Sequence, residues 1–416
     1  METIYEIGKR PTGATLFLTQ DDWRRHVYAI GKTGTGKSTL LENWMFRLLQ
    51  DGGGFCFLDP HGQSAEAIAD AAPPSRTNDV LYIDPSDTER CPAFNILEDV
   101  PADLRPKVAA NVVSSLRNIF GASWGPRMEY ILTNSLRLLL DNPGSTLLGL
   151  PKLLTDIDYR GRLLRNCTDL TVRRFWANEF GAWDRRQQAE AISPLQNKIG
   201  ALLSPPSIRN IIGQKRSTID ISRVMNEGQV LIVNLSKGRL GEDPAHFLGA
   251  LFATAFAQAA EGRATIPQNE RKDFTLFVDE FQNFATDSFA TILSEARKYR
   301  LSLVLAHQFM GQVPEMLRKA VLGNAGTIIA FRIGAEDAAA IGKELDIAPT
   351  ALLDTENFHA WAKVIQQGIP SNGYEVATFP SKLATGRFKA VLANSRACHT
   401  RPRSEVERLI RMFLES

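Results

Sequence analysis

Close to the start of the chain, the apolar run HVYAI at residues 26–30 passes directly into GKTGTGKS at 31–38 and then into the helical pattern STLLENWMFRLLQ. A buried strand, a glycine-rich loop and a helix N-terminus in this order leave few folds open, because loop N–H groups and the helix dipole converge on one point. The spacing G-x-x-x-x-G-K-S falls on Gly31, Gly36, Lys37 and Ser38, with Thr33, Gly34, Thr35 and Thr39 completing the loop. Glycines let the backbone curl around a phosphate, Lys37 reaches the outer phosphate oxygens, and the Ser38 hydroxyl is placed to ligate Mg2+.

The rest of the chain alternates in the way such a loop requires. The segments GFCFLD (54–59) and DVLYID (79–84) read as strands, each stopping at Asp-Pro. After a long gap the pattern resumes. QVLIVNL, FTLFVDE, LSLVLAHQ and GTIIAFRI read as strands, separated by helical patterns at 244–260, 289–300, 314–324 and 336–345. Strands of near-continuous Val, Ile, Leu and Phe imply an α/β fold with a parallel sheet covered on both faces by helices.

The gap, 100–225, reads as an inserted all-helical domain, with apolar residues three and four apart in DLRPKVAANVVSSLRNIF, RMEYILTNSLRLLLDN and DLTVRRFWANEFGAW. Between 101 and 224 there are 18 Lys and Arg against 10 Asp and Glu, whereas the whole chain has 48 against 46. That asymmetry points to a polyanionic partner near the insertion, or to a solvated Arg-rich surface. Its aromatics Trp124, Phe175, Trp176 and Trp183 fit either helical core or base stacking. The α/β segments that carry the loop are thus expected at 1–99 and 226–380, with a basic helical tail at 381–416.

A phosphate loop needs a carboxylate at the end of a neighbouring strand. FTLFVDEFQ supplies Asp279, expected to hold Mg2+, and Glu280, expected to polarise an attacking water. Gln308 ends the strand LSLVLAHQ, where it is able to sense a terminal phosphate, or to face a loop without a role. The segment EARKYR carries Arg297, Lys298 and Arg300, either placed to neutralise charge in phosphoryl transfer or drawn to a helix end by its dipole. Asp59, His61 and Arg332 are further strand-end candidates whose alternative is a turn-forming role.

Other classes are excluded by what is missing. Cys56, Cys91, Cys167 and Cys398 show neither zinc-site nor disulfide spacing, and the six histidines are dispersed. The longest apolar stretch, Phe247 to Ala260, is shorter than the roughly 20 residues of a membrane span, so no intrinsic span is expected. With no secretion-signal pattern at the N-terminus, a reducing cytoplasm is the expected location.

Taken in order, HVYAIGKTGTGKSTL, FLDPHG, FTLFVDEFQNFAT, EARKYRLSLVLAHQ and LGNAGTIIAFRIGAEDA resemble the HerA and FtsK branch of P-loop motors. Within it they look most like the cytoplasmic motor of conjugative coupling proteins of type IV secretion. The resemblance implies a RecA-like P-loop NTPase with an inserted all-helical domain, binding ATP and Mg2+. It implies Lys37 and Ser38 as the Walker A pair, Asp279 and Glu280 as the Walker B pair, and Gln308 as the γ-phosphate sensor. It also implies Arg297 as an arginine finger reaching the next subunit's nucleotide. Homo-hexameric rings that translocate single- or double-stranded DNA are the family's expected assembly. A relaxase, a nuclease or type IV secretion channel components are its expected partners, with any membrane association peripheral, through a secretion complex. The competing readings are a secretion ATPase that handles protein without DNA, and a HerA-like motor in repair or defence.

Overall fold

The computed structural model describes residues 4–284, 287–366, 368–382 and 386–416. Ala285 and Thr286, at the end of the 274–286 motif, and residues 383–385 of the expected tail lie outside the described residues. The chain groups into two compact units, one of Met1–Ile83, Ile221–Ser236 and Ala255–Ser395, the other of Asp84–Asp220, Lys237–Thr254 and Arg396–Ser416.

The first unit is built on an 11-stranded sheet. In chain order the strands of the protein are β1 (Tyr5–Lys9), β2 (Thr15–Leu18), β3 (Val27–Ile30), β4 (Gly54–Asp59), β5 (Val80–Ile83), β6 (Arg90–Pro92), β7 (Val230–Asn234) and β8 (Phe274–Val278). They continue as β9 (Leu301–His307), β10 (Thr327–Ala330), β11 (His359–Lys363), β12 (Ile365–Gln366), β13 (Ile369–Pro370), β14 (Tyr374–Thr378) and β15 (Thr400–Pro402). The large sheet runs β2-β1-β14-β11-β10-β3-β9-β8-β4-β7-β5. From β10 to β5 all pairings are parallel, and from β10 to β2 all are antiparallel.

Burial explains the division. Every residue of β3, β4, β7, β8, β9 and β10 is buried, so each strand must be apolar throughout, and the sequence shows this as continuous runs. By contrast β2 (TLFL) and β11 (HAWAK) alternate between more and less buried positions, as antiparallel strands with one wetter face do. The sheet is therefore mostly parallel, as expected, with an antiparallel extension that the apolar runs did not reveal.

Two expected elements end differently. The helix expected over 289–300 stops at Glu295, and Ala296–Tyr299 tightens into a 3-10 turn closed by Arg300 at φ 59. The segment expected as a basic tail is not separate from the rest: Arg396–Ser416 belongs to the second unit. There β15 pairs with β6, and Asn210 Nδ2 donates to Glu407 Oε1 at 3.3 Å. The second unit also starts earlier than residue 100, at Asp84.

From 100 to 220 the second unit is built of helices and their connections, including Arg105–Phe120, Pro126–Leu140, Ile157–Asn166 and Arg185–Leu203. Asp156 caps one of these helices, and Asp184 opens another in a capping box with Gln187. Phe175 and Trp176 are buried in its core, while Trp183 is partly exposed under the Arg127 guanidinium at 4.6 Å. Trp124 is partly exposed too, its indole donating to Glu129 at 2.7 Å.

The first unit's core is anchored by Trp23, which stacks on Tyr5 with ring centroids 3.9 Å apart and meets Trp44 edge-on at 5.1 Å. Its indole N–H donates to Thr275 Oγ1 on β8 at 2.9 Å, tying the N-terminal strands to the strand that ends in Asp279. Trp23→Ala should lower unfolding stability by about 3–5 kcal/mol. Thr275→Val, which strands the buried N–H, should cost about 1–3 kcal/mol. Urea unfolding followed by tryptophan fluorescence and circular dichroism checks both.

Candidate functional site

The C-terminal ends of β3, β8 and β9 converge on a cleft of about 670 Å3. Thr33, Gly34, Gly36, Lys37, Ser38 and Thr39 line it, as the sequence spacing predicts, together with Asp279, Glu280 and Gln308. Gly31 and Thr35 shape the loop from behind. A Cβ on Gly31 would sit 2.6 Å from Phe331 Cβ, and the buried Thr35 hydroxyl donates to the Lys32 carbonyl at 2.7 Å. Gly36 has φ 115, a conformation that only glycine adopts readily, and it starts the helix Lys37–Asp51.

Lys37 is buried, and its ammonium donates to the carbonyls of Gly31 and, at 3.1 Å, Lys32. Burial pulls its pKa down, and the nearby Asp279 and Glu280 carboxylates oppose that pull. The Ser38 hydroxyl lies 3.4 Å from Asp279 Oδ2. A hydroxyl beside a buried carboxylate is an all-oxygen donor set that suits a hard cation such as Mg2+.

Glu280 is buried beside Asp279 in a left-handed conformation, φ 47 and ψ 51, which is rare for a residue with a side chain. Both its carboxylate oxygens are held. Gln308 Nε2 donates to Oε1 and Gln282 Nε2 to Oε2, each at 2.8 Å. Glutamine amides at both oxygens fix the carboxylate's direction without neutralising it.

The strand-end candidates separate. Asp59 is buried and accepts from the backbone N–H groups of His61 and Ala65, each at 2.8 Å, so it folds the turn into the helix Gln63–Asp70. His61 lines the cleft. Arg332 lies outside the lining and donates to Asn357 Oδ1 at 2.8 Å. Arg297 is exposed in the turn that precedes β9, whereas Gln308 follows that strand. Seven strand residues at about 3.3 Å each put Arg297 roughly 20 Å from the cleft of its own chain.

Residues 11–344 match a family model described as the type IV secretion-system coupling protein DNA-binding domain. The chain belongs to this family. A curated relative, the type 4 coupling protein DotL of Legionella pneumophila, is 21% identical over 72% of this chain and 46% of its own. The chain thus spans about half the length of the curated relative it matches. Among solved structures, the conjugative coupling protein TrwB lacking its first 70 residues superposes with a TM-score of 0.68 at 14% identity, over 93% of this chain and 91% of that one. VirB4 of Thermoanaerobacter pseudethanolicus gives 0.60 at 15% identity, over 91% and 96%. Likenesses at so low an identity show a shared fold, and the loop, the Asp279–Glu280 pair and Gln308 stand where that fold brings strand ends together.

Sequence reasoning did not single out Glu42 and Phe358, which line the cleft, or Gln282, which holds Glu280. Glu42 lies one helical turn beyond Ser38 and accepts from the Ser64 hydroxyl at 2.6 Å; its i,i+4 spacing from Ser38 was the available signal. Gln282 alternates with Glu280 in the sequence but turns back on it only because of the left-handed bend at 280. Phe358 reaches the cleft from the start of β11, and no local pattern marks it.

Burial pushes the Asp279 carboxyl up to about 6 from its ordinary 3.8, with Glu280 and then Asp59 adding to the shift and Lys37 opposing it. The folded state therefore holds this proton more tightly than the unfolded chain. The group favours folding below about pH 4, and that contribution is lost as pH rises through about 6. Asp279→Asn keeps an acceptor for the Glu280 N–H, now 2.9 Å away, and removes the charge. Without nucleotide or metal, the variant should be more stable than the parent at pH 7.5 by up to about 3 kcal/mol and no more stable near pH 4. Thermal unfolding across that pH range tests the difference.

Proposed function

We propose that this chain is the motor of a type IV secretion coupling system: a Mg2+-dependent ATPase that assembles as a ring, a homo-hexamer, and translocates DNA. The carrying observation is Glu280, a buried carboxylate aimed by two glutamine amides beside the phosphate loop and Asp279. A protein that only bound nucleotide would have no need of an oriented base. The fold supports the reading: TrwB has been solved with the ATP analogue ADPNP, with GDPNP, and with ADP and Mg2+.

In this mechanism the loop N–H groups of residues 33–38 hold the β-phosphate, and Lys37 turns from its carbonyl partners to the outer phosphate oxygens. Ser38 and Asp279 would hold Mg2+, which supplies neutralisation of phosphate charge. Glu280 orients the attacking water and accepts its proton. Gln308 is shared between Glu280 and the γ-phosphate, so loss of that phosphate is felt directly at the base and along β9. Arg297, remote from its own cleft, serves the cleft of a neighbouring subunit.

The second unit supplies the DNA contact in this reading. Part of its positive charge is taken up internally, as in Arg105–Asp141, Arg137–Asp169 and Arg216–Asp99. Arg173, Arg174 and Arg185 stay exposed, as does Arg186 in its pair with Glu190. Phosphate contacts of this kind are sequence-independent, and their affinity falls steeply with salt. Phe175 and Trp176 are too buried to stack on bases. The relaxase, nuclease or channel component that hands DNA to the ring belongs to the same proposal, as does a cytoplasmic location at the inner membrane through a secretion complex. Among the described residues no helix is long and apolar enough to cross a membrane.

Steady-state ATP hydrolysis with and without DNA, across protein concentrations, tests the reading. Turnover should rise with DNA and steeply with protein concentration, and both Lys37→Ala and Glu280→Gln should abolish it, the second while retaining nucleotide. Arg297→Ala should lose about a thousandfold in turnover. Mixing it with Lys37→Ala should restore part of the activity, since each chain then supplies what the other lacks. Hydrolysis indifferent to DNA would favour a secretion ATPase acting on protein, and a mixture as inactive as its components would reject action of Arg297 in a neighbouring subunit's cleft.

A further inference from the structure

The cleft has two flanks, and the sheet order distinguishes them. The phosphate loop follows β3; Gln308 and Asp279 come from β9 and β8 on one side, and β10 and β11 stand on the other. Because β11 runs antiparallel to β10, its beginning lies level with the ends of the parallel strands. Phe358 occupies that place. The residue is 49% exposed, although a phenylalanine is usually buried, and among the described residues its side chain is the one hydrocarbon ring lining the cleft.

The backbone beneath the ring is fixed on every side. Phe358 N–H donates to the Thr35 carbonyl of the loop at 2.8 Å, and the Thr378 N–H and hydroxyl both donate to its carbonyl, each at 2.8 Å. Next to it, Asn357 accepts from Arg332, whose own carbonyl accepts from the Lys32 N–H at 2.8 Å. Phe358 has φ 63, a conformation unfavourable for a bulky residue and held here by these bonds. The ring reaches over Gly36 so closely that a Cβ there would meet Phe358 Cδ1 at 3.0 Å. Strain, exposure and bracing to the loop together describe a side chain displayed for a ligand.

We propose that Phe358 is the stacking platform for the nucleobase. This rests on the nucleotide reading of the same cleft. A nucleotide with its terminal phosphate towards Glu280 runs its α-phosphate and nucleoside the other way, past Gly36 and onto the Phe358 face. A benzene ring offers a π-face and no hydrogen bond, so it grips adenine and guanine alike. The chain therefore binds ATP and GTP with similar affinity.

Calorimetric titration of the full chain with ADP, GDP and inorganic pyrophosphate tests this. Phe358→Ala should weaken ADP and GDP by about tenfold each, since base stacking on an aromatic contributes roughly 1–3 kcal/mol. It should leave pyrophosphate within twofold of the parent, and Phe358→Trp should restore both nucleotides. Equal loss of pyrophosphate would show that Phe358 merely shapes the loop and would overturn the proposal, as would unchanged ADP affinity or a loss confined to one base. A parent protein that binds neither ADP nor pyrophosphate would overturn the nucleotide reading itself, an outcome the variants cannot mimic.

Discussion

Two carboxylates buried next to each other at the end of β8 are the arrangement on which the site depends. Asp279 and Glu280 repel, and burial penalises the charge of Asp279. Such a pair persists only where its surroundings hold it. Lys37 stands by as a cation, the Asp279 carboxylate accepts the Glu280 N–H, and two glutamines grip the Glu280 oxygens. The cost is met by the sheet, because β8 is paired on both sides along its whole length and cannot shift its end to relieve the repulsion. A divalent cation bound beside the pair would relieve that repulsion.

The same rigidity explains what was readable in the sequence. The strands that carry Lys37, Glu280 and Gln308 are buried on both faces, so each had to be a continuous apolar run, and the side chain that ends such a run must face the strand-end cleft. The antiparallel strands were not readable in this way. HAWAK and YEVAT are short, carry charges and are only partly buried, and their pairing is fixed by contacts distant in sequence, such as Trp361 opposite Glu375. Phe358 was invisible for the same reason: its importance comes from standing before one of those strands.

The second unit shows the limit of periodicity from another side. Its helices were legible, but the unit's extent was not, because strands β6 and β15 lie more than 300 residues apart and are only three residues long each. Local charge was a partial guide. The excess of Arg over Asp and Glu is real, yet Arg160 is buried against the end of the preceding helix, donating to the Leu153 and Leu154 carbonyls, and Arg137 is committed to Asp169. A count of charges overstates the charge available to a partner wherever arginines serve as internal hydrogen-bond donors.

Strand β9 unites these observations into one device. Its seven residues are all buried, with the Arg297 turn before it and Gln308 after it. A buried strand hydrogen-bonded on both sides moves as a rigid rod or not at all, so displacement of Gln308 is transmitted to the far end instead of being absorbed along the way. Gln308 Nε2 carries two N–H donors, one given to Glu280 and the other left for a phosphate oxygen, which makes its position depend on the state of the nucleotide. In a ring whose Arg297 side chains serve neighbouring clefts, that dependence would run from one subunit's phosphate, through β9, to the next subunit's transition state, and sequential firing would need no further moving part.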